Sequence, residues 1–374
     1  MKILALDIGT GTQDILLFDS SKTIENCIKM VMPAPTVIAA QRIREATRTR
    51  SAVAITGVNM GGGPVTEAAT QHVQAGLPVY ATVEAATTFD DDMEMVKGMG
   101  VTLVSSDEIK GLADASRVTL KDLDMDMVCQ ALAAFGVAPD WDALAVAVFD
   151  HGNAPPGYSD RKFRFDHLRR QMTRGRRDIT AFCYLRHEVP EYMTRMLAVA
   201  QGVDPGTPIL LMDTAEAAVL GALEDRMVAA QVDKVVANLG NEHTLAFHLH
   251  GSTIHGLFEH HTHVLTRERL ESYLKRLVAG DLDNDEIWRG QGHGAIVLER
   301  GQSLGFLSVT GPMRSLLEGS SLSPYFATPH GDMMLAGSFG LVRAWAEKND
   351  SWRDEIMHAL GSREGGAFDG GHAH

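Results

Sequence analysis

The sequence is poor in cysteine, with three in 374 residues: Cys27, Cys129 and Cys183, all far apart. That spacing offers no CxxC pair, no cluster-binding triplet and no disulfide framework, so buried reduced thiols are expected. No apolar run reaches the ~18 to 20 residues that would span a bilayer. Asp7 and Gly9 interrupt the first apolar run before any cleavage-like site, so no secretory signal is expected and the chain reads as cytoplasmic. Positive charge is scarce too. A formal net charge of −14 argues against a general binder of nucleic acid or anionic membrane, since both need a basic face. The basic stretch RKFRFDHLRRQMTRGRR, residues 161–177, is the exception, and it reads first as a solvated helix face.

Hydrophobic residues at 45% and charged residues at 22% describe a soluble globular chain, and its length implies two domains. Strand-like apolar runs alternate with helix-length stretches, so an α/β architecture is expected. The start is a hairpin rather than a βαβ unit, because the turn between the first two strands leaves no room for a crossover helix. Gly/Pro punctuation at GVDPGTP, residues 202–208, marks a boundary. It divides the chain into residues 1–205, residues 206–348 and a C-terminal extension, 349–374, whose Gly-rich end SREGGAFDGGHAH is expected to be mobile.

The opening LALDIGTGTQDILLFD carries the first chemical signal. Gly9 and Gly11 let the turn tighten and approach a ligand, and successive amides there can nest an anion. Thr10 and Thr12 add hydroxyl donors, Gln13 follows, and Asp7 at the strand end is suited to Mg²⁺ beside a phosphate. A second strand–turn–strand, VVANLGNEHTLAFHLH, repeats the pattern with Asn238, Gly240, Asn241 and Thr244. Two such hairpins across a cleft would make a clamp. In FLSVTGPMRSLLEGS, Gly311 would let the backbone approach a flat nucleoside. In ITGVNMGGGPVTEA, residues 55–68, a helix N-terminus could rest an anion, although a tight strand-to-helix connection explains it as well.

Taken in order, these elements resemble the acetate and sugar kinase/heat-shock chaperone/actin superfamily. Asp7-Ile-Gly-Thr-Gly-Thr is similar to its first phosphate motif and Asn238-Leu-Gly-Asn-Glu-His-Thr to its second. ILLMDTAEAAVLGAL and HGDMMLAGSFGLVRAW resemble its two connecting helices, and Val309-Thr-Gly-Pro its adenosine motif. The resemblance implies two ribonuclease H-like domains around an interdomain cleft, the actin-like ATPase fold, with ATP and Mg²⁺ as cofactors. A closer resemblance, carried by LALDIGTGTQDILLFD, NLGNEHTLAF and GLFEHHTH, is to a prokaryotic family labelled as related to the pyruvate formate-lyase activating enzyme. That label implies an iron–sulfur cluster on three closely spaced cysteines, which this chain lacks. Departures from the superfamily pattern are Asn238 in place of an acid, a glycine cluster reduced to Gly240, and Pro312 in place of a glycine.

Several groups compete for the chemistry. Asp150 and His151 follow a buried strand at the edge that lines ligand crevices in open α/β sheets, with Asp150 as general base and His151 orienting it. Glu242 stands where it could align a water. In FEHHTHV, strand alternation puts Glu259, His261 and His263 on one face, a possible transition-metal set, with a hydrogen-bonded polar patch as the competing account. Three functions follow: a nucleotide-binding Mg²⁺-dependent phosphotransferase or ATPase, a nucleotide-responsive regulator or assembly factor without useful turnover, or a metal-dependent hydrolase or transferase using the histidines. The expected partners are a nucleotide and a small-molecule substrate, with neither nucleic acid nor membrane.

Overall fold

The computed structural model describes residues 1–174 and 177–361; the tail expected to be mobile lies outside the described residues. In chain order the strands open with β1 (Lys2–Ile8), β2 (Thr12–Asp19) and β3 (Ile28–Pro33), an antiparallel meander. Then come β4 (Val53–Gly57), β5 (Val79–Ala81), β6 (Val101–Leu103) and β7 (Ser116–Leu120). The chain returns with β8 (Ala143–Val148), β9 (Cys183–Leu185) and β10 (Ile209–Met212). The second half holds β11 (Asp233–Leu239), β12 (His243–His250), β13 (Thr253–His261), β14 (Gly292–Val297), β15 (Leu307–Thr310) and β16 (Tyr325–Phe326).

Two six-stranded sheets repeat one plan, β3-β2-β1-β8-β10-β9 and β14-β13-β12-β11-β15-β16. In each, a hairpin-connected meander runs antiparallel, and two parallel strands are added to the free side of its first strand; in the first sheet β9 then closes the edge antiparallel to β10. That order makes both halves ribonuclease H-like, and together they form the actin-like ATPase fold. β8, ALAVAV, is buried at every position, as a strand covered on both faces must be. β10 pairs with β8, so the first sheet runs past residue 205, where the sequence reading divides the chain.

A third sheet, β6-β5-β4-β7, is all parallel and is additional to the two halves expected. It grows out of the first half between β3 and β8, and has its own apolar core of Ile43, Val53, Ile55, Val65, Val79 and Val118. β5 ends at Ala81 because the hydroxyl of Thr82 caps the short helix Val83–Ala86.

The helices Thr214–Ala222 and Ala336–Lys348 pack together between the main sheets, in the larger apolar core. Their glycines allow the contact: a Cβ on Gly221 would meet the Ala336 carbonyl oxygen at 1.7 Å, and one on Gly340 the Ala217 carbonyl oxygen at 1.9 Å. Among the described residues no helix is long and apolar enough to cross a membrane.

Candidate functional site

The ends of β1, β8 and β11 and the turns that follow them open onto one cleft of about 820 Å³. Asp7, Gly9, Thr10 and Thr12 line it from the first half; Asn238, Gly240, Asn241, Glu242 and Gly311 line it from the second. The two hairpin turns meet: a Cβ on Gly11 would stand 2.5 Å from the Asn241 side-chain nitrogen. Gly311, at φ +103, packs against the Leu239 carbonyl at the end of β11. The helix Gly63–Gln74 of the third sheet begins beside Thr10, so the Gly61–Gly63 turn also reaches the cleft.

Asp7 is the most telling residue. Its Oδ1 is shut away from solvent without a hydrogen-bond partner, and its Oδ2 lies where a Cβ on Gly337 would come within 1.8 Å. Burial, reinforced by the charges of Asp14 and Asp213, pushes its carboxyl well above the usual carboxylate range. Asp14, directly across the β1–β2 ladder, is buried too and has an orphaned Oδ1. Burial raises it to about 7, against the Thr12 hydroxyl that lowers it. Two desolvated carboxyls side by side, each with an orphaned oxygen, fit a divalent cation, which would repay the cost of ionising them.

Two expected phosphate contacts have other work. Gln13 follows Thr12 on β2, so alternation points it to the opposite face, where its amide donates to the Pro33 carbonyl at 3.0 Å. Thr244 is fully buried on β12; its hydroxyl meets that of Thr262 at 3.0 Å, and Thr262 donates to the Gly240 carbonyl at 2.8 Å. That pair braces the second turn from behind.

Asp150 and His151 do border the cleft, but not as a hydrogen-bonded couple. The Asp150 oxygens accept the Gly152 amide at 2.8 Å and the Met196 amide at 2.9 Å, fastening the loop after β8 to the helix Thr194–Gln201. Burial raises its carboxyl despite those bonds.

The basic stretch departs from a solvated face. Arg164, on the helix Asp160–Arg174, is 1% exposed. It donates through Nη2 to Glu259 at 2.7 Å, and through Nη1 to Asp213 at 2.8 Å and the Asp150 carbonyl at 3.0 Å. This one guanidinium ties β13 of the second half to β8 and the connecting helix of the first, and lies 4.1 Å over the Phe149 ring. A helix read alone cannot reveal a carboxylate 95 residues away that will bury its arginine.

The histidine set also differs. Glu259, His261 and His263 do not gather as one ligand group. β13 ends at His261, and His263 leaves in the turn Thr262–Val264. Glu259 holds Arg164, and its Oε1 accepts Nδ1–H of His293. Burial pushes the Glu259 carboxyl up, but Arg164 outweighs it and keeps the group ionised. The histidines whose ligand atoms converge are His151 after β8, His243 at the start of β12 and His293 on β14, all within 4.8 Å of one another. Burial first lowers all three, aided by the competing imidazoles around them and, at His151 and His293, by the Arg164 charge. His293, on the short strand GHGAIV, carries no local sequence signal that would mark it as a partner of His151 and His243. Cys27, Cys129 and Cys183 are free thiols in separate elements, and none joins a metal-competent group among the described residues.

Comparison with solved structures finds remote likenesses. A ROK family transcriptional regulator, described as a homolog of the E. coli MLC protein, is 9% identical over 68% of this chain, at TM-score 0.27. This chain spans 38% of that regulator's length. The ethanolamine utilization protein EutJ from Carboxydothermus hydrogenoformans is 14% identical over 91% of this chain and 89% of its own, at TM-score 0.32. The ROK hexokinase from Thermus thermophilus is 13% identical over 94% of this chain and 100% of its own, at TM-score 0.30. Likenesses so remote decide nothing about ligand or reaction, and the fold assignment stands on strand order. No curated protein matches. One family profile matches residues 60–316, more than half of the chain, and the protein therefore belongs to the family described as "Putative pyruvate format-lyase activating enzyme (DUF1786)".

Proposed function

We propose that this protein binds a nucleotide with Mg²⁺ in the cleft between its halves and carries out phosphoryl transfer or nucleotide hydrolysis there. The observation that carries the reading is the orphaned, enclosed Oδ1 of Asp7 between two facing Gly-containing hairpins. Asp7, with Asp14 across the ladder, would hold the ion, which when bound supplies charge neutralisation to the phosphates. The backbone amides and hydroxyls of residues 9–12 and the Gly240–Asn241 turn would cradle the phosphate oxygens. Gly311 would admit the nucleoside. Glu242, which lines the cleft, is the better general base, because both Asp150 oxygens already hold backbone amides. The small-molecule acceptor would enter beside the Gly61–Gly63 turn.

A second reading, a regulator that closes on nucleotide without useful turnover, is favoured by Asn238, an amide where the second hairpin would otherwise offer an acid. Thermal unfolding with ATP, ADP and GTP, with and without Mg²⁺, tests the shared premise. A nucleotide at about 100 times its Kd adds ~2.7 kcal/mol of stability, and Asp7→Ala should lose the Mg²⁺-dependent part. If no nucleotide moves the midpoint of the wild type, both readings fail. If binding is present, turnover assays then separate enzyme from regulator.

A further inference from the structure

We propose that His151, His243 and His293 form a binding site for one late first-row divalent metal ion of the zinc class, with a coordination position open to the cleft. The inference does not rest on the nucleotide reading.

The three imidazoles come from three different elements, yet their ligand atoms converge within 4.8 Å, close enough for one ion to draw them to Zn–N bonds of ~2.0–2.1 Å. His293 is held for this task. Its Nδ1–H donates to Glu259, which fixes the tautomer and leaves the Nε2 lone pair facing inward. Glu259 is in turn held by the Arg164 guanidinium, so ligand, carboxylate and arginine form a continuous supporting chain. His243 lies flat on Phe149, with centroids 4.1 Å apart and planes 4° from parallel, which sets its ring.

A self-satisfied polar patch is the competing account, and the atoms argue against it. The Nε2 atoms of His243 and His293 are both buried and have no hydrogen-bond partner. Leaving two such nitrogens unpaired is costly, and an ion that meets both of them together with His151 removes that cost. A soft-to-borderline cation satisfies all three at once, and neutral imidazole is its natural ligand. Three protein ligands with a fourth position free is the pattern of a working site rather than a closed structural one. His151 and His243 border the cleft while His293 is 1% exposed, so the open position faces the cavity, where it would take water or an anionic oxygen of the bound molecule.

The test is Co²⁺ titration of chelator-treated protein followed by its visible absorption, in an Asp7→Ala background so that the carboxylate site does not contribute. A single equivalent with the intense bands of a low-coordinate nitrogen site is expected. His151→Ala and His243→Ala should each abolish those bands, and His263→Ala should leave them. Glu259→Gln, which loosens the support of His293, should weaken binding ~10–100-fold. Thermal unfolding of each metal-free variant confirms that it is folded; His151, at the cleft edge, is the substitution best tolerated. Absence of binding at millimolar Co²⁺, or full binding in both His151→Ala and His243→Ala, would overturn the proposal.

Discussion

The two hairpins that face each other across the cleft are built on one plan and equipped differently. In the first, the strand before the turn delivers Asp7 and its partner across the ladder is Asp14. In the second, the corresponding strand delivers Asn238, and its partner is Leu245. The first turn thus gathers two desolvated carboxyls, whereas the second has no charge at that level. Five residues further on the roles reverse. The strand after the second turn starts with His243, one of three neutral imidazoles, while the strand after the first starts with Thr12. One plan of strands thus carries carboxylates at the first turn and an imidazole at the second.

The comparison can be broken first at the contact that joins the halves. Gly221→Ala would drive a methyl group into the Ala336 carbonyl and should destabilise the protein by ~3 kcal/mol. Urea unfolding measures this; a second transition would show that the halves then unfold separately. Next, Gly337→Ala would displace the Asp7 carboxyl from the cleft and should abolish the Mg²⁺-dependent nucleotide effect, up to ~2.7 kcal/mol at saturating ligand. A retained midpoint shift would move the cation site away from the first hairpin.

Acid sharpens the contrast further. His167 of the first half is buried between the hydroxyls of Tyr184 and Tyr192, and burial, aided by the Arg164 charge, lowers it to about 3. The unfolded chain takes up a proton near pH ~6.5 that the native state refuses. Its contribution to stability is therefore whole above that pH and is lost as pH falls, by ~1.4 kcal/mol per unit until the native value is reached. His167→Gln should flatten that part of the stability–pH curve. An unchanged slope would place the acid sensitivity elsewhere. The smallest effect belongs to the brace behind the second turn. Thr244→Val should cost ~1 kcal/mol, through the bond to Thr262, and weaken nucleotide binding less than Gly337→Ala does.

Both hairpins were legible because their signals are local: apolar runs flank a polar residue and a glycine within about a dozen positions. Gln13 and Thr244 were misplaced within them, since assigning a phosphate to a turn does not say which side chains the pleat turns away. The third sheet was half visible. Its strands Val53–Gly57 and Val79–Ala81 lie among the strand-like apolar runs, but strands as short as Val79–Ala81 and Val101–Leu103 do not announce their neighbours. Arg164 read as solvated because its helix is rich in charge and its partner carboxylates lie far off in sequence.

The sequence by itself determined the α/β alternation, the duplicated hairpins, Asp7 as the acid at a strand end, and the small-residue helices that cross between the halves. Each depends on residues adjacent along the chain. Tertiary structure alone decided that Asp150 fastens a loop, that Glu259 serves Arg164 and His293, and that His151, His243 and His293 meet. Those outcomes depend on which strand ends the two sheets bring to the same cleft. Desolvation, the force that gives these groups their character, exists only once the halves have closed around them.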